Sequence, residues 1–148
     1  MTSLRTGGPD SFQQASAVPF RRKSGRLEFC LITSSAGRWG FPKGLIDPGE
    51  TYIDTALKEA HEEAGLHGRI LGDPLGAYSI AKRGATLKVI VLLMEVTQVD
   101  KDWSESHLRQ RRWVSRDKAR ELVSQPELRV MLASAAARLA ADEERRSQ

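Results

Sequence analysis

"GLIDPGETYIDTALKEAHEEAGL", residues 44–66, decides how the rest of the chain is read. It sets Glu59, Glu62 and Glu63 within five positions of one another in a chain of formal net charge +4. Helical residues three and four apart are neighbours, and like charges there destabilise the helix. The segment nevertheless carries the marks of a helix over 51–64. Thr51 with Asp54 fits a capping box, and Gly65 stands where a C-terminal glycine cap belongs. Ile53, Leu57, Ala60 and Ala64 recur at helical spacing as the expected buried stripe. At about 100° per residue the three glutamates then project opposite that stripe and share one exposed face. Local stability does not account for this spacing, whereas a cation among the carboxylates does. For "EAHEE" alone an acidic, solvated face is the commoner explanation. The glycine loop "GLIDPGE", ending at Glu50 and leading straight into the helix, tips the reading towards a site.

Three carboxylates on one face supply hard oxygen ligands suited to Mg2+ or Mn2+. His61, His67 and His107 show no ligand spacing and Cys30 is the only cysteine, so a zinc site is not expected and the histidines read as surface or structural residues. Mg2+ sites of this kind share their ligands with substrate phosphates and water. A bound water with a spare carboxylate as base is the equipment of a hydrolase.

The remainder of the chain fits that reading. Its 148 residues, 40% hydrophobic and 28% charged, suit one soluble domain. The longest apolar run, "VIVLLM" at 89–94, is too short to cross a membrane, and the N-terminal residues lack the apolar core of a signal peptide, so a cytoplasmic protein is expected. With one cysteine there is no intrachain disulfide. The sequence pI is about 9.5, with basic runs at 21–26, 81–83 and 109–120 that attract polyanions. A polar N-terminal tail is expected over 1–13, a single domain over 14–140 and a polar C-terminal tail over 141–148. Strands are expected at "ASAVPF" (15–20), "LEFCLIT" (27–33), "TLKVIVLLMEV" (86–96, central in a sheet) and "RRWV" (111–114). "SSAGRWGFPKG" (34–44) reads as loop. "SRDKARELVS" reads as a helix capped by Ser115, and 126–146 as a terminal helix opened by Pro126.

Gly44, five residues, Glu50, seven residues and then "KEAHEEAGL" resembles the Nudix box, with Lys58 where the family has arginine. The resemblance implies an α/β fold, an α/β/α sandwich with a mixed β-sheet, and hydrolysis of nucleoside diphosphates linked to another moiety or of related pyrophosphates. It implies that Glu59 and Glu63 ligate the metal, with the Gly44 carbonyl as a further ligand. Glu62 would be the proton acceptor that activates water. Glu50 and Lys58 would pair to hold the loop against the helix, lysine supplying the charge but not a bidentate fork. "RWGFPKG" (38–44) and "DWSESHLRQRRWVSRDKARELV" (102–123) are similar to the diphosphoinositol polyphosphate and diadenosine polyphosphate hydrolases, and some bacterial RNA pyrophosphohydrolases share the first. By that similarity Arg38 and Arg109 contact substrate phosphates, with Lys43, Lys82 and Arg83 as further candidates. The expected function is a Mg2+- or Mn2+-dependent pyrophosphohydrolase of diphosphoinositol or dinucleoside polyphosphates. The alternatives are a nucleotide-specific hydrolase, an RNA 5′ pyrophosphohydrolase among them, and a non-catalytic module that binds phosphorylated ligands. Aromatic residues are only 6% of the chain and basic residues outnumber stacking candidates, which favours phosphate over base recognition. The expected partner is a polyphosphorylated small molecule, with nucleic acid open but not favoured. The residues set no oligomeric state.

Overall fold

Strand β6 (Ala85–Val99) organises the molecule because both of its faces are apolar. Successive side chains of a strand point to opposite faces. Val89, Val91 and Leu93 therefore enter one hydrophobic cluster, while Ile90, Leu92 and Met94 enter another. A central strand buried on both sides needs covering layers on both sides. A computed structural model, which describes residues 12–147, supplies them.

The other strands are β1 (Gln14–Lys23), β2 (Arg26–Thr33), β3 (Trp39–Gly40), β4 (Lys43–Leu45), β5 (Leu66–Lys82) and β7 (Arg111–Val114). The sheet runs β3-β2-β1-β6-β5, with β4 paired to β1 and β7 paired to β2. β1 and β6 are parallel and the other pairings antiparallel, so the sheet is mixed. Helix α1 (Tyr52–Ala64) covers one face, laying Ala56, Ala60 and Ala64 on Ala15, Ala17, Cys30 and Leu92. Helices α2 (Arg116–Leu122) and α3 (Pro126–Arg146) cover the other, packing Ala119, Leu132 and Ala135 on Val18, Phe29 and Leu31. This is an α/β/α sandwich.

Several expectations change on contact with the structure. The segment read as loop over 34–44 contains β3 and the start of β4. β5, to which the sequence reading gives no strand, pairs with β6 along most of its length, with register shifts after His67 and Leu71. Gly68 permits the first shift, since a Cβ there would overlap the carbonyl oxygen of Glu95. Residues 1–11 of the expected N-terminal tail lie outside the described residues. Phe12 already packs on the core, and the Gln13 amide donates to the Lys88 carbonyl at 3.1 Å. At the other end α3 continues through Arg146, so most of 141–148 is helical.

The pairings of β1 position the site. Its first residues, 14–16, pair with β4, and its last, 20–23, pair with β2. Between them the Pro42 carbonyl accepts from the Ala17 amide at 3.1 Å and from Ser16 Oγ at 2.8 Å. The loop before α1 is thereby pinned to the sheet, directly beneath that helix.

Candidate metal and phosphate site

α1 starts and stops where its sequence directs. Thr51 accepts from the Asp54 amide at 3.0 Å and Asp54 accepts from the Thr51 amide at 3.2 Å, which completes the capping box. Gly65 ends the helix in the left-handed region, at φ 67°, and its amide reaches back to the carbonyls of Ala60 and His61. The last carbonyls are held from outside. Trp103 Nε1 donates to Glu63 O at 2.9 Å, and Arg111 donates to Ala64 O at 2.7 Å with its guanidinium over the Trp103 ring.

The buried stripe is displaced from the expected one. Ala60 and Ala64 are buried, but Ile53 is 41% exposed, and Thr55 and Ala56 are buried in its place. Glu63 is buried at 8% exposure, and Glu59 and Glu62 are half-buried, so the three do not share an exposed face. Glu63 projects only about 90° from the centre of the expected stripe, which brings it to the rim of the helix–sheet interface.

That rim is β4. The Lys43 amide donates to Glu63 Oε1 at 3.1 Å. Gly44 lies against the Glu59 side chain so closely that a Cβ at Gly44 would overlap the Glu59 carboxylate. Burial, then repulsion from Glu63 and Glu62, pushes the Glu59 carboxyl up to about 7. Burial raises Glu63 as well, opposed by the Arg109 guanidinium and the Lys43 amide. Two partly desolvated carboxylates one helical turn apart, against a strand with no side chain in the way, form a cradle whose negative charge is undercompensated. Its donor set is all oxygen, which fits Mg2+ or Mn2+. Among the described residues the Glu62 carboxylate accepts no hydrogen bond, which leaves its lone pairs available.

The loop brace is in place. Lys58 Nζ lies 2.8 and 3.0 Å from the two Glu50 oxygens and donates to Asp47 Oδ2 at 3.1 Å. Glu50 also accepts from Thr55 Oγ1 at 2.9 Å and from the Asp47 amide at 3.2 Å. These bonds hold the Lys58 pKa above, and the Glu50 pKa below, their ordinary values. Asp47 gives the lysine a third oxygen in place of a guanidinium fork. Lys58→Ala should lower kcat several-fold while metal affinity falls little, and Lys58→Arg should keep parental activity. Equal activity and equal thermal stability of Lys58→Ala and parent would remove the brace from the mechanism.

A cavity of about 480 Å³ opens beside the carboxylates. Arg38, Lys43, Gly44, Lys82, Arg109 and Glu63 all line it. Arg83 does not; it occupies a left-handed position, φ 51°, in the turn between β5 and β6. Arg109 lines the cavity while donating to Glu105 Oε1 at 2.6 Å, Thr33 O at 2.9 Å and Glu63 Oε2 at 3.3 Å. It therefore braces a carboxylate of the cradle. Arg38 and Lys82 are exposed and, among the described residues, form no ion pair. Burial lowers the Lys43 pKa, and its charge is felt by Glu63, Lys82 and Arg109. Trp39 and Tyr78 also line the cavity, with Gln14, whose buried side-chain oxygen has no partner among the described residues. Sequence reasoning missed Glu105, Asp47 and Tyr78. Only Glu105 left a signal, an acid four residues before Arg109.

A family model for the NUDIX domain matches residues 11–134. The chain belongs to the Nudix family. This Nudix chain is 34% identical over 123 residues to Nudix hydrolase 12, mitochondrial, of Arabidopsis thaliana, across 76% of this chain and 59% of that protein. It is 32% identical over 104 residues to diphosphoinositol polyphosphate phosphohydrolase 3-alpha of Homo sapiens, across 69% of this chain and 62% of that one. The chain thus spans about three fifths of the length of the curated relatives it matches. Among solved structures, a binary complex of the C. elegans Ap4A hydrolase superposes with a TM-score of 0.77 at 28% identity, covering 88% of this chain and 98% of that one. Among the described residues no helix is long and apolar enough to cross a membrane.

Proposed function

We propose that this Nudix domain, residues 14–140, is a metal-dependent pyrophosphohydrolase that cleaves phosphoanhydride bonds in diphosphoinositol or dinucleoside polyphosphates. The observation that carries this reading is the shared cavity: Glu63 and Gly44 line it together with Arg38, Lys43 and Lys82. Glu59 and Glu63, with the Gly44 backbone, would hold Mg2+ or Mn2+, and the bound ion would supply charge neutralisation and an acidified water. Arg109 keeps Glu63 aimed into the cradle. Glu62, unengaged, takes the proton of the attacking water. Lys43, Arg38 and Lys82 bind the phosphates beyond the scissile bond through charge-assisted contacts. The human relative is named for diphosphoinositol polyphosphates and the C. elegans structure for Ap4A, both polyphosphorylated small molecules, which supports the same substrate class. Trp39 and Tyr78 line the same cavity, and aromatic side chains beside the phosphate-binding residues favour the dinucleoside arm over the inositol one.

The test is a phosphate-release screen over pyrophosphates of increasing phosphate number, with and without a nucleobase, at two salt concentrations. Arg38→Ala should lose more kcat/KM on longer substrates than on shorter ones, and added salt should shrink the difference. Arg109→Ala should lower activity by the same factor on every substrate, because its contact is to Glu63. Equal losses for Arg38→Ala on short and long substrates would count against polyphosphate recognition. A strong preference for one nucleobase, with little dependence on phosphate number, would move the assignment to a nucleotide-specific hydrolase.

A further inference from the structure

The histidines showed no ligand spacing in the sequence, yet the fold collects two of them. His61 lies in the last turn of α1, His67 at the start of β5, and Asp100 just beyond β6. The candidate ligand atoms of all three lie within 4.8 Å of one another. His67 Nε2 is 2.7 Å from Asp100 Oδ2, and His61 Nε2 is 3.8 Å from the same oxygen. The two imidazole centroids are 4.6 Å apart.

The backbone beneath this cluster is fixed. The Gly65 amide donates to the His61 carbonyl at 2.9 Å, and the Asp100 amide donates to the Gly65 carbonyl at 2.8 Å. His67 is paired in register with Gln98 of β6. The other carboxylate oxygen of Asp100 accepts from Gln98 Nε2 at 3.1 Å, which orients the carboxylate with Oδ2 towards the histidines. All three side chains are reachable from solvent, Asp100 being 25% exposed and His61 55%.

We propose that His61, His67 and Asp100 form a second metal site, separate from the glutamate cradle, that takes a divalent transition ion of borderline softness such as Zn2+. Ligands about 2.0–2.1 Å from a tetrahedral ion stand about 3.3 Å apart. The two separations to Asp100 Oδ2 bracket that value, and side-chain rotations within the 4.8 Å spread of the three atoms would close them on an ion. Three protein ligands leave a fourth position for water. Imidazole suits such ions and not Mg2+, while the all-oxygen cradle suits Mg2+, so the two sites select different metals. They also face apart, since His61 projects about 160° round the helix axis from both Glu59 and Glu63. An ion here ties the last turn of α1, which carries Glu62 and Glu63, to the ends of β5 and β6.

The probe is Zn2+ alone, titrated calorimetrically into the full chain with Mg2+ in excess. Parent and Glu59→Gln should both show a Zn2+ binding event that His61→Ala weakens at least about tenfold, the low end even for losing an outer-shell partner. His61→Ala should keep the parental unfolding midpoint in chelator, because its side chain is exposed. Co2+ added to the parent should develop the strong visible absorption of a four-coordinate, imidazole-ligated ion, a readout that needs no variant. Identical Zn2+ binding by parent and His61→Ala, loss of all binding in Glu59→Gln, or only the weak absorption of hydrated Co2+ would each overturn the site. Hydrolysis in Mg2+ is untouched by that failure, so it stands or falls separately.

Discussion

Chelating the divalent ions should abolish turnover, and Mg2+ or Mn2+ should restore it. In the cradle Glu59 and Glu63 are crowded by burial and by each other, which pushes the Glu59 carboxyl up to about 7. Arg109 and the Lys43 amide compensate only Glu63. No cationic side chain of the protein forms an ion pair with Glu59 among the described residues, so a bound cation would supply the missing counter-charge for that carboxylate and the phosphates together. The same reasoning separates a ligand from a structural acid. Glu59→Gln removes a proposed ligand and also relieves repulsion. It should lower kcat at least about a hundredfold in Mg2+, within the several kcal/mol that metal charge stabilisation supplies. In chelator its thermal midpoint should equal or exceed the parent's, the usual trade between a repelling site and stability. Turnover in excess chelator would remove the metal from the mechanism. A Glu59→Gln protein both slower and less stable would make Glu59 part of the scaffold.

What the sequence made legible, and what it hid, follows from the range of the interactions. The caps of α1, Ser115 at α2 and Pro126 at α3 are local signals, and each stands where it was read. β6 was legible because a long apolar run can only be a doubly covered strand or a buried helix, and its Val, Ile and Thr content favours the strand. β5 was not, because Gly68, Gly72, Pro74 and Gly76 are turn-like residues that here sit in a strand with two register shifts. β3 and β4 are two and three residues long, held by β2 and β1 and not by any propensity of their own. The site shows the same division. Glu59, Glu62 and Glu63 are local in sequence, and Glu50 with Lys58 nearly so. The burial of Glu63 and its tie to Arg109, 46 residues away, depend on how α1 sits on β4. The meeting of His61 and His67 with Asp100 depends on where β6 ends.

Glu62→Gln should lower kcat at least about a hundredfold, the low end of what a general base contributes, with little change in KM or in thermal stability. The three glutamates differ in what already occupies them. Glu63 accepts from the Lys43 amide and from Arg109, and Glu59 is pressed against Gly44. Glu62 is half-buried and its side chain accepts nothing among the described residues. Only its backbone is used, where its carbonyl accepts from the Glu105 amide at 3.2 Å. A carboxylate with free lone pairs on the helical turn that carries the proposed metal ligands is placed to take a proton from water. Glutamine keeps the shape and one acceptor oxygen but cannot hold that proton. The base is used in the transition state and not in binding, so the loss belongs in kcat. Metal affinity should change little, which distinguishes Glu62→Gln from Glu59→Gln in the same titration. Near-parental kcat in a folded Glu62→Gln would take the role from Glu62. The next carboxylate to test would then be Glu105, whose Oε1 is bonded to Arg109 and whose loop touches the same turn of α1.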